Sequence, residues 1–131
     1  MRTTSIRVAL GCLLLLACAG SAPAAPDGDL AGLSTREYEE YVRERFEWLT
    51  GQARSGHRLE VQARRDCEPA APAVSDPGRA CALARAATEQ SERVVREGRD
   101  LLEGLEQRLG GVPAWALTAD EKLLAAAGRE K

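Results

Sequence analysis

The chain has 131 residues, with 18 basic and 20 acidic side chains, a net charge of −2 and a single histidine. That balance excludes binding to nucleic acid through bulk positive charge. With two Trp, two Tyr and one Phe, the chain has apolar material for one modest core.

The N-terminus carries the strongest signal. Arg2 and Arg7 form a positive start, and Val8 to Ala19 form an apolar run centred on Leu13-Leu14-Leu15-Leu16. The run falls short of the about 20 apolar residues a membrane span needs, and it fits the apolar region of a signal peptide. Pro23 and Pro26 directly after it argue against a buried helix. Residues 1–17 therefore read as a signal peptide, 18–33 as a tether and 34–131 as a helical domain.

Leu15-Leu16-Ala17-Cys18 resembles the lipobox of bacterial lipoproteins, with Leu three positions before the cysteine and Ala immediately before it. The resemblance implies cleavage before Cys18 and attachment of lipid to it. Ala19 in place of Asp then implies the outer membrane or another periplasm-facing membrane surface. The alternative is ordinary secretion at Ala22-Pro23-Ala24, which would leave a soluble periplasmic or secreted chain. The resemblance covers the signal alone and carries no activity.

Cys12 leaves with the signal, and Cys18 is lipidated or leaves as well. The remaining pair, Cys67 and Cys81, reads as a disulfide in an oxidising compartment, with two free thiols as the alternative. Two cysteines cannot by themselves make a structural zinc site, and His57, the only histidine, stands ten residues from Cys67. No metal or cofactor is expected. Loop closure would contribute roughly 3 kcal/mol on the chain-entropy account.

Ser34-Thr35-Arg36-Glu37 has the pattern of a capping box, with Leu33 and Tyr38 placed as a hydrophobic staple. From there Tyr38, Val42, Phe46, Leu49, Ala53, Gly56 and Ala63 recur at helical spacing, predicting a helix over about 35–66. Thr50-Gly51 and Ser55-Gly56 weaken its middle, where a break is an open alternative. Glu68 to Ser75 contains Pro69 and Pro72 and reads as a loop. Asp76-Pro77 offers an N-cap followed by Pro at the first helical position. Ala84, Ala87, Ser91, Val94, Gly98, Leu101, Leu105 and Leu109 then form a near-heptad seam over about 77–109, closed by Gly110-Gly111-Val112-Pro113. Thr118-Ala119-Asp120-Glu121 reads as a second capping box, starting a third helix over about 119–128.

The fold expected is all-α: a disulfide-stapled antiparallel hairpin with a short third helix packed at its open end. A bond between Cys67 and Cys81 would set residues whose numbers sum to about 148 opposite one another. Phe46 would then meet Leu101 and Leu102, Val42 would meet Leu105, Tyr38 would approach Leu109, and Gly51 would oppose Gly98. Small residues make the hairpin thin near the disulfide and thick at the far end.

For function, Tyr38, Tyr41, Trp48 and Trp115 form a candidate partner surface, set against the plainer reading of core covered by the third helix. Arg54, His57, Arg58, Arg64 and Arg65 fit a solvated helix face better than a lipid- or polymer-binding strip. The Pro-rich loop fits a connector better than a recognition segment. The sequence contains no motif such as G-x-S-x-G, and its carboxylates are scattered, so no catalytic residue is expected. What remains is a non-catalytic envelope interaction or scaffolding module, held to the membrane by its N-terminal lipid. It would meet a protein partner or a second copy through its helix faces. A soluble periplasmic chaperone-like or stress-associated binder is the alternative.

Overall fold

The structure, a computed structural model, describes residues 30–68 and 76–130. The expectations for the signal peptide, Cys18 and the Pro-rich loop of 69–75 lie outside the described residues. A 3-10 turn at Leu30–Gly32 leads into helix α1 (Thr35–Cys67), α2 (Pro77–Leu109) and α3 (Ala114–Ala126). The described fold is the all-α hairpin with a third helix expected from the sequence. No helix among the described residues is long and apolar enough to cross a membrane.

Helix α1 starts at the expected capping box. The Glu37 N–H donates to Ser34 Oγ at 3.3 Å, and the Ser34 N–H returns to Glu37 Oε2 at 2.7 Å. The Ser34 hydroxyl also donates to Glu37 Oε2 at 2.6 Å. The hydroxyl bond first, then the backbone bond, holds the Glu37 carboxyl below its usual range. This contribution to the helix start is present above the ordinary carboxylate range and is lost as pH falls through the lowered value. The helix runs unbroken through Gly51 and Gly56, because its buried stripe continues past them: Tyr38, Val42, Phe46 and Leu49 before, Ala53 between, Glu60 and Ala63 after. Asp76 caps α2 by accepting from the Arg79 N–H at 3.0 Å, and Gly110, at φ 74°, closes it.

Cys67 and Cys81 are joined, with Cα atoms 4.7 Å apart. At this end α1 and α2 meet through Ala63, Ala84 and Ala87, all buried. The large side chains gather at the other end, where Val42, Phe46, Leu49, Leu105 and Leu123 are the bulkiest fully buried groups. Each stabilises the fold by about 1.5–3 kcal/mol through burial.

One expectation about this packing is corrected. Gly51 does not oppose Gly98: it is exposed, and a methyl added there would touch nothing. Gly98 instead receives Phe46 and Leu123, since a methyl placed on it would collide with Leu123 Cδ2 and stand 3.6 Å from Phe46 Cε1. Tyr38 likewise sits over Gly104, where an added methyl would strike its hydroxyl. Both rings thus rest where α2 has no Cβ. Leu101, Leu102 and Leu109 remain partly buried against the same core.

Helix α3 also begins earlier than the sequence suggests. Its N-cap is Pro113, extended and with no side-chain hydrogen bond, so the capping box at Thr118 does not form. The Thr118 hydroxyl donates back to the Ala114 carbonyl at 3.1 Å, from inside the helix. The early start puts Ala116 in helical phase with Leu123 and Ala127, and all three are buried on the hairpin.

Two outcomes test this packing. Gly98→Val should lower stability by about 1–3 kcal/mol by pushing Leu123, and α3 with it, off the hairpin; a normal melt would refute the three-helix contact. Cys67→Ser should lower the melting temperature, by an amount consistent with about 3 kcal/mol, and abolish its sensitivity to reductant.

Candidate functional site

The four aromatic candidates do not form one patch. Tyr38 is 8% exposed, enclosed between α1 and α2 with its ring against Gly104. Tyr41 and Trp48 are half-buried, and at 100° per residue they lie on the flank of α1 away from α3. Trp115 is on α3, on the other side of the molecule, where the Arg43 guanidinium lies 3.8 Å over its ring. The arc of apolar surface on α1 is therefore divided. Helix α3 covers the Phe46 side and lies away from the Tyr41–Trp48 side.

On the Tyr41–Trp48 flank, Arg45 ties the two long helices together. Its Nε donates to Glu97 Oε1 at 2.6 Å, and its guanidinium stands 4.4 Å over the Trp48 ring. The pair is half-buried, so it is screened less than a surface pair and fixes the ring plane of Trp48. The Tyr41 ring centroid lies 6.4 Å from that of Tyr38.

On the α3 flank, the space between α1 and α3 is an open groove of about 510 Å³. Phe46, Trp115 and Ala119 give it apolar walls, and Arg43, Arg54 and Lys122 line it with Glu47. The hydroxyls of Thr50 and Thr118 donate to the carbonyls of Phe46 and Ala114, which leaves the three cations as its free donors. Sequence reasoning missed this groove because its residues come from two helices whose pairing is not written in either one.

A third feature, also missed, is Arg108. Its Nη1 donates to the Leu30 carbonyl at 2.6 Å, its other terminal nitrogen to the Leu33 carbonyl, and its guanidinium lies 4.5 Å from the Tyr38 ring centroid. One side chain near the end of α2 thus holds the backbone just before α1. The sequence signals only a basic residue in a last helical turn, which the helix dipole alone accounts for.

The thin half of the hairpin is held by polar contacts. Glu60, 5% exposed, accepts from the Thr88 hydroxyl at 3.0 Å and pairs with Arg64 at 2.6 Å. Arg64 also donates to the Thr88 oxygen at 3.3 Å, closing a three-membered polar clasp between α1 and α2. Of the basic run read from the sequence, Arg64 is thus bound to its own fold, while Arg54 lines the groove. His57 packs against Gly128, and its Nδ1, like Ser91 Oγ, is buried without a hydrogen-bond partner among the described residues. Ser91 is 3% exposed and Glu60 is already engaged, so these side chains do not present an accessible nucleophile with its base.

Arg108→Ala should cost about 1–3 kcal/mol through the lost charged hydrogen bonds and ring contact. It should also expose Leu30–Leu33 to limited proteolysis; an unchanged digestion pattern would show that Arg108 does not hold this segment. No protein-family model, no curated protein and no solved structure matches the chain.

Proposed function

We propose that the protein is an exported, lipid-anchored, non-catalytic module that displays interaction surfaces at the periplasm-facing side of a bacterial membrane. The lipobox-like Leu15-Leu16-Ala17-Cys18 supports the anchor. The observation that carries the reading is the hold of Arg108 on the Leu30 and Leu33 carbonyls. It holds Leu30–Leu33 at the thick end, which supports a tether that enters the body there.

A tether from Cys18 to Leu30 spans 12 residues and reaches at most about 40 Å. The thick end, with both flanks described above, is kept within that distance of the lipid. Helix α1, 33 residues long, carries the disulfide about 50 Å further away. Such a body has a fixed base and a fixed tip, which suits a spacer or docking element. The surfaces open to a protein partner or a second copy are the outward faces of the helices, where Leu59, Leu83 and Leu117 are exposed.

The test is the intact mass of the protein from a bacterial host together with its partitioning in a phase-separating detergent. The expected result is a chain beginning at Cys18 with added acyl mass in the detergent phase, moved to the aqueous phase by Cys18→Ser. A chain beginning at Ala25 without lipid would overturn the anchor and favour a soluble periplasmic binder.

A further inference from the structure

We propose that the groove between α1 and α3 is a binding site for an amphiphilic phosphomonoester: a phosphate held by Arg43, Arg54 and Lys122, with its apolar body against Phe46 and Trp115. The inference does not depend on the lipid anchor, since it concerns a pocket in the helical body itself.

Charge is the first support. The chain is acidic overall, yet three cations and one carboxylate, Glu47, line this one groove, leaving it at about +2. A phosphomonoester carries about −1.5 to −2 at neutral pH, which matches that excess, whereas one carboxylate neutralises only half of it. Free donor capacity is the second. Four cations of the fold are spent internally, Arg45 on Glu97, Arg64 on Glu60, Arg108 on backbone carbonyls and Arg129 on Glu92, whereas the three that converge on the groove are not. Among the described residues Arg43, Arg54 and Lys122 make no hydrogen bond or ion pair.

Pre-organisation is the third support. The Arg43 guanidinium stands 3.8 Å over the Trp115 ring, a contact that restrains the side chain while its N–H fork, the group that grips phosphate oxygens, stays unused. A stacked Arg loses little rotamer freedom when an anion arrives. The groove's volume of about 510 Å³ lies within the range of small-molecule sites, and its mix of apolar wall and few polar groups is the usual make-up of such sites. The Thr50 and Thr118 hydroxyls point their hydrogens at backbone carbonyls, so recognition falls to cations rather than to neutral donors.

Trp48→Phe leaves Trp115 as the one tryptophan, and its fluorescence then reports the groove. Octyl phosphate titrated into this variant of the full chain, as its host processes it, should give a saturable change in emission. Arg54→Glu and Lys122→Glu should each weaken that binding by about tenfold or more, because each removes a charge-assisted contact and adds repulsion. Arg85→Glu, the same change of charge by the disulfide, should leave it intact. The melting temperatures of all three charge variants should match the parent. Equal weakening by Arg85→Glu, an unsaturable response, or inorganic phosphate binding as tightly as octyl phosphate would overturn the proposal. Vesicles then separate the sources. Extra binding when phosphatidic acid is added to phosphatidylcholine, lost in Lys122→Glu, identifies a membrane lipid. Octyl phosphate binding without that increment identifies a soluble amphiphile.

Discussion

Helices α1, α2 and α3 meet at a residue that has no side chain. Gly98 lies beside the Phe46 ring on one side and Leu123 on another, and Leu123 could not stay if a methyl stood there. Around this point lie Val42, Leu49, Leu105 and Ala116, each fully buried. The depth to which Phe46 enters sets the spacing of α1 and α2 at the thick end. The seat of Leu123 sets the tilt of α3 and therefore the width of the groove beside it. A glycine usually weakens a helix interior by roughly 1 kcal/mol. Here that cost is offset by the burial of two large side chains that would otherwise face water.

The two ends of the hairpin are stabilised by different physics. Near Cys67 and Cys81 the contacts are alanines and one polar clasp, which bury little area, and the covalent link acts instead by restricting the unfolded chain. At the open end the stabilisation is apolar and cooperative, and Arg108 adds a directional hold on the incoming backbone. Glu60 shows what a thin interface tolerates. Its carboxylate is enclosed only because Thr88 and Arg64 reach it from two helices, and removing either partner would leave it under-satisfied.

Much of this body was legible in the sequence, and the failures have definite causes. The stripe from Tyr38 to Ala63 and the seam from Ala84 to Leu109 follow the helical repeat, and both helices end within a residue of where capping chemistry puts them. Thr118 misled because Thr-x-x-Glu has the same appearance at a helix start and inside a helix. Only the burial of Ala116 distinguishes the two, and burial is a property of the packed molecule. Pairing by residue number failed at Gly51 and Gly98 for a related reason: a register treats helices as smooth rods, while rings choose gaps. The split of the aromatic residues between two flanks depends on which side α3 takes, and no residue of α1 encodes that choice by itself.

The far end of α3 has its own consequence. Gly128, at φ 70°, turns the chain against the His57 imidazole, with the Arg129 N–H closing on the Leu124 carbonyl at 2.8 Å. His57 is 22 residues beyond the start of α1, so the backbone leaves the body about 33 Å along its length. Leu30–Leu33 thus lie at the base, held by Arg108, while the turn at Gly128 lies higher, beside His57 and above the groove. A bulky group introduced at that turn would stand over the groove's upper rim and leave both the base and the disulfide end clear.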